Sequence, residues 1–370
     1  MVDLKSQYNK IKQAVDAGIA NVIDNTAFIN GPEVKSFQAE LETYLNVKHV
    51  IPCANGTDAL QIAMMALNLQ PGDEVITANF TYVATAEVIA LLKLTPVLVE
   101  CNANTFTIDP AAIEAAITPR TKAIVPVHLY GQCADMDAIM KIAKKHNLYV
   151  IEDTAQAIGS EYRSANGTVA KAGTIGTIGC TSFFPSKNLG CYGDGGALFT
   201  NDDALAAQLR KVANHGQSVQ YIHDEVGVNS RLDSIQAAIL RVKLRELDNY
   251  AAARNAAANY YDNAFAGNTK IITPARATNS THVFHQYTLQ LSGVDRNALR
   301  DYLATKDIPS MIYYPLPLHH QKAYSNPAYT DAQFPITLNL CANVISLPMH
   351  TEMTETELNY ITREVLNFCN

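Results

Sequence analysis

"FFPSKNLGCYGDGGALFTND", residues 183 to 202, places a single lysine, Lys187, inside an apolar run that ends in a glycine-rich turn and a short β-like segment. A long aliphatic amine normally keeps its head in water, so a lysine held among Phe183, Phe184, Pro185 and Leu189 either snorkels to the surface or loses charge and becomes a nucleophile. What surrounds it in the fold decides between the two.

Working outward, short apolar runs alternate with helical stretches. Strands are expected at "HVIPC" (49–53), "DEVITA" (73–78), "TPVLVE" (95–100), "AIVPVHL" (123–129), "YVIED" (149–153), "CTSFF" (180–184) and "GALFTN" (196–201). Between them, "GTDALQIAMMALNL" (56–69), "TYVATAEVIALLKL" (81–94) and "DMDAIMKIAKKHN" (135–147) repeat apolar residues at i, i+3 and i+4. This alternation predicts an α/β fold with a mostly parallel central sheet and helices on both faces. From Leu232 to about Phe265 a long helical pattern leaves this core. An α+β set follows: a strand at "HVFHQYTLQL" (282–291), a helix near Arg296 to Thr305, a strand at "PSMIYYP" (309–315) and a final helix at "ETELNYITREVLNF" (355–368). Two domains are expected, 1–245 large and 246–370 small.

Composition narrows the function. With 48% hydrophobic and 17% charged residues the chain is an ordinary globular one, and a net charge of −7 without basic runs excludes a polyanion-binding stripe, hence nucleic acid as a partner. No apolar run is long enough for a bilayer and the start of the chain lacks a signal-peptide core, so a cytoplasmic protein is expected. Seven cysteines, an odd number with no CxxC and no His/Cys cluster at ligand spacing, read as reduced and predict no metal.

Ligands of open α/β sheets bind beyond the carboxyl ends of strands. "ANGTDAL" (54–60) follows one such end and opens a helix, so the amides of Gly56 and Thr57 point at an anion; alone, the turn is an ordinary helix cap. "YVIEDTAQ" ends another strand with Glu152, Asp153 and Gln156, and a buried carboxylate there needs a partner. A lysine, a strand-end carboxylate and a phosphate-type turn together suit pyridoxal phosphate, whose ring nitrogen takes a carboxylate and whose aldehyde takes an amine. "GTIGTIG" (173–179) has the wrong spacing for a dinucleotide.

Six collinear segments, "FFPSKNLGCYGDGGALFTND", "EDTAQAIGS", "ANGTDAL", "FTYVATAEV", "PVHLYGQCADMDAI" and "GVNSRLDSIQAAIL", resemble the DegT/DnrJ/EryC1/StrS sugar aminotransferases, from "DLKSQY" at Asp3 to "SLPMH" near His350. The resemblance implies the pyridoxal phosphate-dependent fold type I of aspartate aminotransferase. It makes Lys187 the imine-forming and proton-shuttling lysine, Asp153 the partner of the ring nitrogen and Gln156 a neighbour of the 3-hydroxyl. Tyr82 would stack on the ring, and Gly56, Thr57 and Ser182 would hold the phosphate. Asn229 would reach the phosphate in a second subunit, implying a homodimer with shared active sites.

Within the family, the motifs look closest to enzymes acting at C3 of UDP-2-acetamido-2-deoxy-3-oxo-glucuronate with L-glutamate as donor, which serve bacterial surface polysaccharides such as O-antigen. In that subgroup Arg231 would meet the uronate carboxylate. Where the subgroup reads His-Tyr-Pro this chain reads Tyr313, Tyr314, Pro315, a phenol in place of an imidazole. "PLPLHHQKAY", with His319, is similar instead to dTDP-3-keto-6-deoxyhexose 3-aminotransferases, which leaves that substrate as an alternative. Gln286, Tyr287 and His319 are candidates for the sugar pocket. A non-catalytic regulatory protein on the same scaffold is the reading from another class, and an intact Lys187, Asp153 and Ser182 weigh against it.

Overall fold

The computed structural model describes residues 1–369. In chain order, α1 (Leu4–Asp24) and α2 (Pro32–Leu45) precede β1 (His49–Cys53), α3 (Gly56–Ala66), β2 (Glu74–Ala78), α4 (Ala84–Leu91), β3 (Thr95–Val99), α5 (Pro110–Ala116) and β4 (Thr121–Val125). Then come α6 (Met136–His146), β5 (Tyr149–Asp153), a hairpin of β6 (Glu161–Arg163) and β7 (Val169–Lys171), β8 (Ile178–Ser182), β9 (Gly196–Thr200) and α7 (Asp203–Ala213). A second hairpin, β10 (Gln217–Val219) and β11 (Ile222–His223), leads to α8 (Ser234–Arg245) and α9 (Leu247–Phe265). The chain closes with β12 (Ile271–Ile272), β13 (Tyr287–Leu291), α10 (Arg296–Ala304), α11 (Pro335–Asn343), β14 (Val344–Leu347) and α12 (Glu355–Cys369).

Seven strands form the main sheet in the order β1-β9-β8-β5-β4-β2-β3. The pairs β2–β3, β2–β4, β4–β5 and β5–β8 are parallel, whereas β9 runs against both β8 and β1. Every other strand therefore points one way. The carboxyl ends of β1, β2, β5 and β8 gather on one edge of the sheet, joined there by the amino end of β9, where Gly196 pairs with both Cys53 and Ser182. Strands β2 and β9 are buried along their whole length, as a sheet covered on both faces requires. On one face Ile62, Val75, Ile151 and Leu198 pack together, and on the other Phe37, Phe183, Phe199 and Leu240 do. Burying each such side chain contributes about 1.5–3 kcal/mol.

Strands β12, β13 and β14 make a separate antiparallel sheet whose core joins Tyr261 and Phe265 of α9 to Leu289, Ile345 and Val365. The helical pattern after Leu232 is two helices, not one: Glu246 ends α8, its amide bonded back to Lys243 O at 3.1 Å, and α9 starts at once. Two expected strands also differ. Residues 282–286 pair instead with Tyr130, Gly131 and Gln132, with Val283 N–H on Gly131 O at 2.8 Å, so β13 starts only at Tyr287. The segment 309–315 keeps a single bridge, Met311 to Ser346. Gly131 makes the first docking possible: at φ +118° a Cβ there would lie 2.9 Å from Phe284 N. Among the described residues no helix is long and apolar enough to cross a membrane.

Candidate active site

A cavity of about 440 Å3 opens on the edge where the strand ends gather. Its wall includes Gly56, Thr57, Tyr82, Asp153, Gln156, Ser182 and Lys187 from the main-sheet region, with Gln286, Tyr313 and Tyr314 from the later part of the chain.

At one end the cavity meets the first turn of α3. Asn55 caps that helix, its side chain accepting Asp58 N–H at 2.8 Å and its carbonyl accepting Ala59 N–H at 3.1 Å. The Gly56 and Thr57 amides are left without an acceptor among the described residues, beside the Ser182 hydroxyl. A Cβ on Gly56 would sit 2.6 Å from Ser182 Cβ, so only glycine lets the end of β8 come this close. Open amides at a helix amino end suit a phosphate dianion.

Asp153, at the end of β5, is 8% exposed. Its Oδ1 accepts Ala155 N–H at 3.1 Å and its Oδ2 accepts the Thr85 hydroxyl at 3.0 Å. The adjacent Glu152 points the other way and is fully buried: Oε1 accepts Ile175 and Gly176 N–H at 2.7 and 2.5 Å, and Oε2 accepts Gly173 N–H and faces His128 Nε2, both at 2.9 Å. The glycine-rich stretch 173–179 thus wraps an internal carboxylate, which is why its spacing matches no nucleotide loop.

Lys187 follows β8 in a tight turn. Its amide donates to Phe184 O at 2.8 Å, Cys191 N–H donates to Phe183 O at 2.8 Å, and Phe183 N–H donates to Gly195 O at 2.7 Å. A Cβ on Gly190 would lie 2.4 Å from Pro185 O, and one on Gly196 would lie 2.5 Å from the Asn55 carbonyl carbon, so these glycines let the lysine turn close against the α3 cap. The Lys187 amine has no hydrogen-bond partner among the described residues. Desolvation lowers its pKa to about 8 against a smaller opposing pull from Asp153. Cation, carboxylate and open amides share one wall, so the residues present fit pyridoxal phosphate.

Gln156 ties the two parts of the wall together, its Oε1 accepting Tyr130 N–H at 2.8 Å and its Nε2 donating to Tyr314 Oη at 3.1 Å. The Tyr130 hydroxyl in turn donates to Tyr313 O. Burial pushes the Tyr314 phenol well above its ordinary range. Tyr82, 55% exposed, stands with its ring centroid 6.1 Å from that of Tyr314.

Four expected residues lie elsewhere. Tyr287 is in the core of the second sheet, its hydroxyl donating to Asp262 at 2.7 Å. His319 is held by Asn79, which accepts His319 N–H at 3.0 Å through Oδ1 and donates to Nδ1 at 2.7 Å; the ring proton is therefore on Nε2, facing Asp331 at 3.2 Å. Asn229 pairs with Asn214 near the surface, and Arg231 lines a separate cavity of about 310 Å3 with Lys35 and Arg210. Conversely, Thr85 and His285 belong to the site without having been singled out. His285 lines the cavity, its Nδ1 has no partner, and burial with the nearby Lys187 and Arg254 cations keeps it neutral. A strand pattern read through 282–291 hides it, because the irregular stretch breaks the alternation on which such a reading depends.

The sequence matches the DegT/DnrJ/EryC1/StrS aminotransferase family over residues 9–366. It is 46% identical over 366 residues to the UDP-2-acetamido-2-deoxy-3-oxo-D-glucuronate aminotransferase of Pseudomonas aeruginosa, covering 99% of each chain. It is 44% identical over 370 residues to the pleiotropic regulatory protein of Geobacillus stearothermophilus, covering 100% of this chain and 98% of that one. A DegT DnrJ EryC1 StrS aminotransferase from Brucella abortus has the same fold, with a TM-score of 0.94 at 38% identity over 100% of this chain and 99% of that one. Pyridoxal phosphate is the cofactor of the family.

Proposed function

The chain belongs to the DegT/DnrJ/EryC1/StrS aminotransferase family, a family of pyridoxal phosphate-dependent sugar aminotransferases, and from that premise we propose that it transfers an amino group from L-glutamate to the C3 ketone of UDP-2-acetamido-2-deoxy-3-oxo-glucuronate. The observation that carries the reading is one cavity holding a lysine of lowered pKa, a strand-end carboxylate and unpaired helix amides.

When bound, pyridoxal phosphate supplies an aldehyde carbon and an electron-accepting ring. On this reading Gly56, Thr57 and Ser182 hold its phosphate, Asp153 its ring nitrogen, Gln156 the 3-hydroxyl side and Tyr82 one face. Lys187 Nζ gives up its proton readily near pH 8, so it serves as the base that takes a proton from the amino donor and as the acid that returns one to the sugar carbon. The donor leaves as its oxo acid before the sugar enters, so the reaction is ping-pong.

Homodimerisation with shared active sites is part of the proposal. Lys187 is the only Lys or Arg among the described residues lining the cavity, so a uronate carboxylate needs a cation from outside it. Arg231, with Asn229, is the candidate supplied by a second copy. Exposed apolar side chains on the neighbouring hairpin and just after it, Tyr221 (82%) and Val226 (84%), offer a surface for that copy to cover. Residues 1–245 would then form the large cofactor-binding domain and 246–370 the small one, in a cytoplasmic enzyme supplying an amino sugar for O-antigen.

Tyr313 favours a second substrate, a dTDP-3-keto-6-deoxyhexose, because it brings a phenol and no charge to the cavity. Mixing the amine-loaded protein with UDP-linked 3-keto uronate and with dTDP-linked 3-keto-6-deoxyhexose separates the two. Return of the visible absorption band with the first alone is expected. Return with the second alone assigns the alternative, and return with neither points to the regulatory reading.

A further inference from the structure

Every polar group of Asp153 is engaged within this chain. Its N–H donates to Pro126 O at 2.9 Å, its carbonyl accepts His128 N–H at 3.0 Å, and its two carboxylate oxygens are taken by Ala155 N–H and by the Thr85 hydroxyl. Two of these partners come from the segment following the adjacent β4, and a third, Ala155, from just beyond the end of β5. The fourth comes from α4, and Thr85 is 1% exposed.

The Ala155 amide pins one oxygen but leaves the carboxylate free to rotate about that contact. The Thr85 hydroxyl holds the other oxygen and thereby fixes the plane of the group. A β-branched side chain in a helix has few rotamers open to it, so the hydroxyl direction is set before any ligand arrives. Thr85 lies in the first turn of α4, three residues after Tyr82, which precedes the helix. The single segment "TYVATA" therefore brings an aromatic ring to the cavity and a hydroxyl to the Asp153 carboxylate.

We infer that Thr85 is a positioning residue for Asp153: its hydroxyl fixes the carboxylate so that one oxygen is presented to the protonated ring nitrogen of the cofactor. The inference rests on the reading of Asp153 as the ring-nitrogen partner. A hydroxyl that merely fills space under α4 would do none of this, and valine, with the same shape and no donor, separates the two roles.

The test compares Thr85→Val with Thr85→Ser in protein loaded with pyridoxal phosphate, reading the dissociation constant of the cofactor and the pH midpoint of its visible band. Thr85→Val is expected to weaken cofactor binding about tenfold or more, the scale of one hydrogen bond to a charged group, and to move the midpoint, while Thr85→Ser restores both. Two results overturn the inference: Thr85→Val matching wild type in both readouts, or Thr85→Ser failing as badly as Thr85→Val. If the valine variant does not fold, Thr85→Ala against Thr85→Ser makes the same comparison. Asp153→Asn is measured alongside. An unchanged band and turnover in that variant would remove the role of Asp153 itself, whereas their loss with an unaltered Thr85→Val would remove only that of Thr85.

Discussion

His128 Nε2 lies 2.9 Å from Glu152 Oε2, with both side chains sealed from solvent. Ala134 N–H donates to His128 Nδ1 at 3.1 Å, so the ring proton is on Nε2 and points at the carboxylate. With three backbone amides as well, Glu152 accepts four hydrogen bonds directly beside Asp153. The strand end that carries the cavity carboxylate is anchored by its neighbour.

Glu152→Gln turns one acceptor into a donor facing amides that are themselves donors, whichever way the amide lies. The cost should be about 3 kcal/mol, as for other broken buried charged networks. Urea denaturation of the cofactor-free protein measures it, and an unchanged midpoint would show that the anchor contributes nothing.

Lys187 gives the cofactor-free protein a defined pH dependence. Its pKa of about 8 in the fold lies below the ordinary 10.5, so between these values the unfolded chain binds the proton that the native one has lost. The penalty is full below pH 8 and fades as pH rises toward 10.5. Lys187→Met should therefore be more stable than wild type at pH 7, with the difference shrinking by pH 10. A gap of equal size at both pH values contradicts the lowered pKa.

Much of this architecture is legible from the sequence, and the remainder fails for physical reasons. Five of the seven main strands show as apolar runs of about the observed length, and the turns at Asn55 and Lys187 announce themselves by their caps and glycines. The antiparallel course of β9 is not visible, because a run buried on both faces carries no mark of direction. Glu246 looks like one more helical residue although it divides α8 from α9. Residues 282–286 and 309–315 have strand-like composition, yet their backbone groups are committed to other segments. Thr85 sits on a helix whose period says only that it is buried; its partner Asp153, 68 residues on, is set by the sheet order.

The close approach of β8 to α3 gives Gly56 a sharp test. An added methyl at 2.6 Å from Ser182 Cβ must push the strand end from the helix cap. Gly56→Ala should fold but bind pyridoxal phosphate about tenfold or more weakly, since the donors proposed for its phosphate would lose their alignment. Absorbance titration reads this directly, and wild-type affinity would place the phosphate elsewhere.

Shared sites predict complementation. Lys187→Ala and Arg231→Ala should each be nearly inactive alone. If the proposed homodimer shares its sites in this way, mixed dimers would contain one site with both defects and one with neither, so random reassembly should recover about a quarter of wild-type turnover. No recovery in mixtures shown to contain heterodimers would mean that Arg231 serves its own chain or none.

Borohydride reduction of the cofactor-loaded protein, followed by peptide mapping, tests the central claim most directly. The pyridoxyl group should be found on the Lys187 side chain, within residues 183–202. Recovery of the label on another lysine, or of none from folded and cofactor-saturated protein, would contradict the assignment of the site.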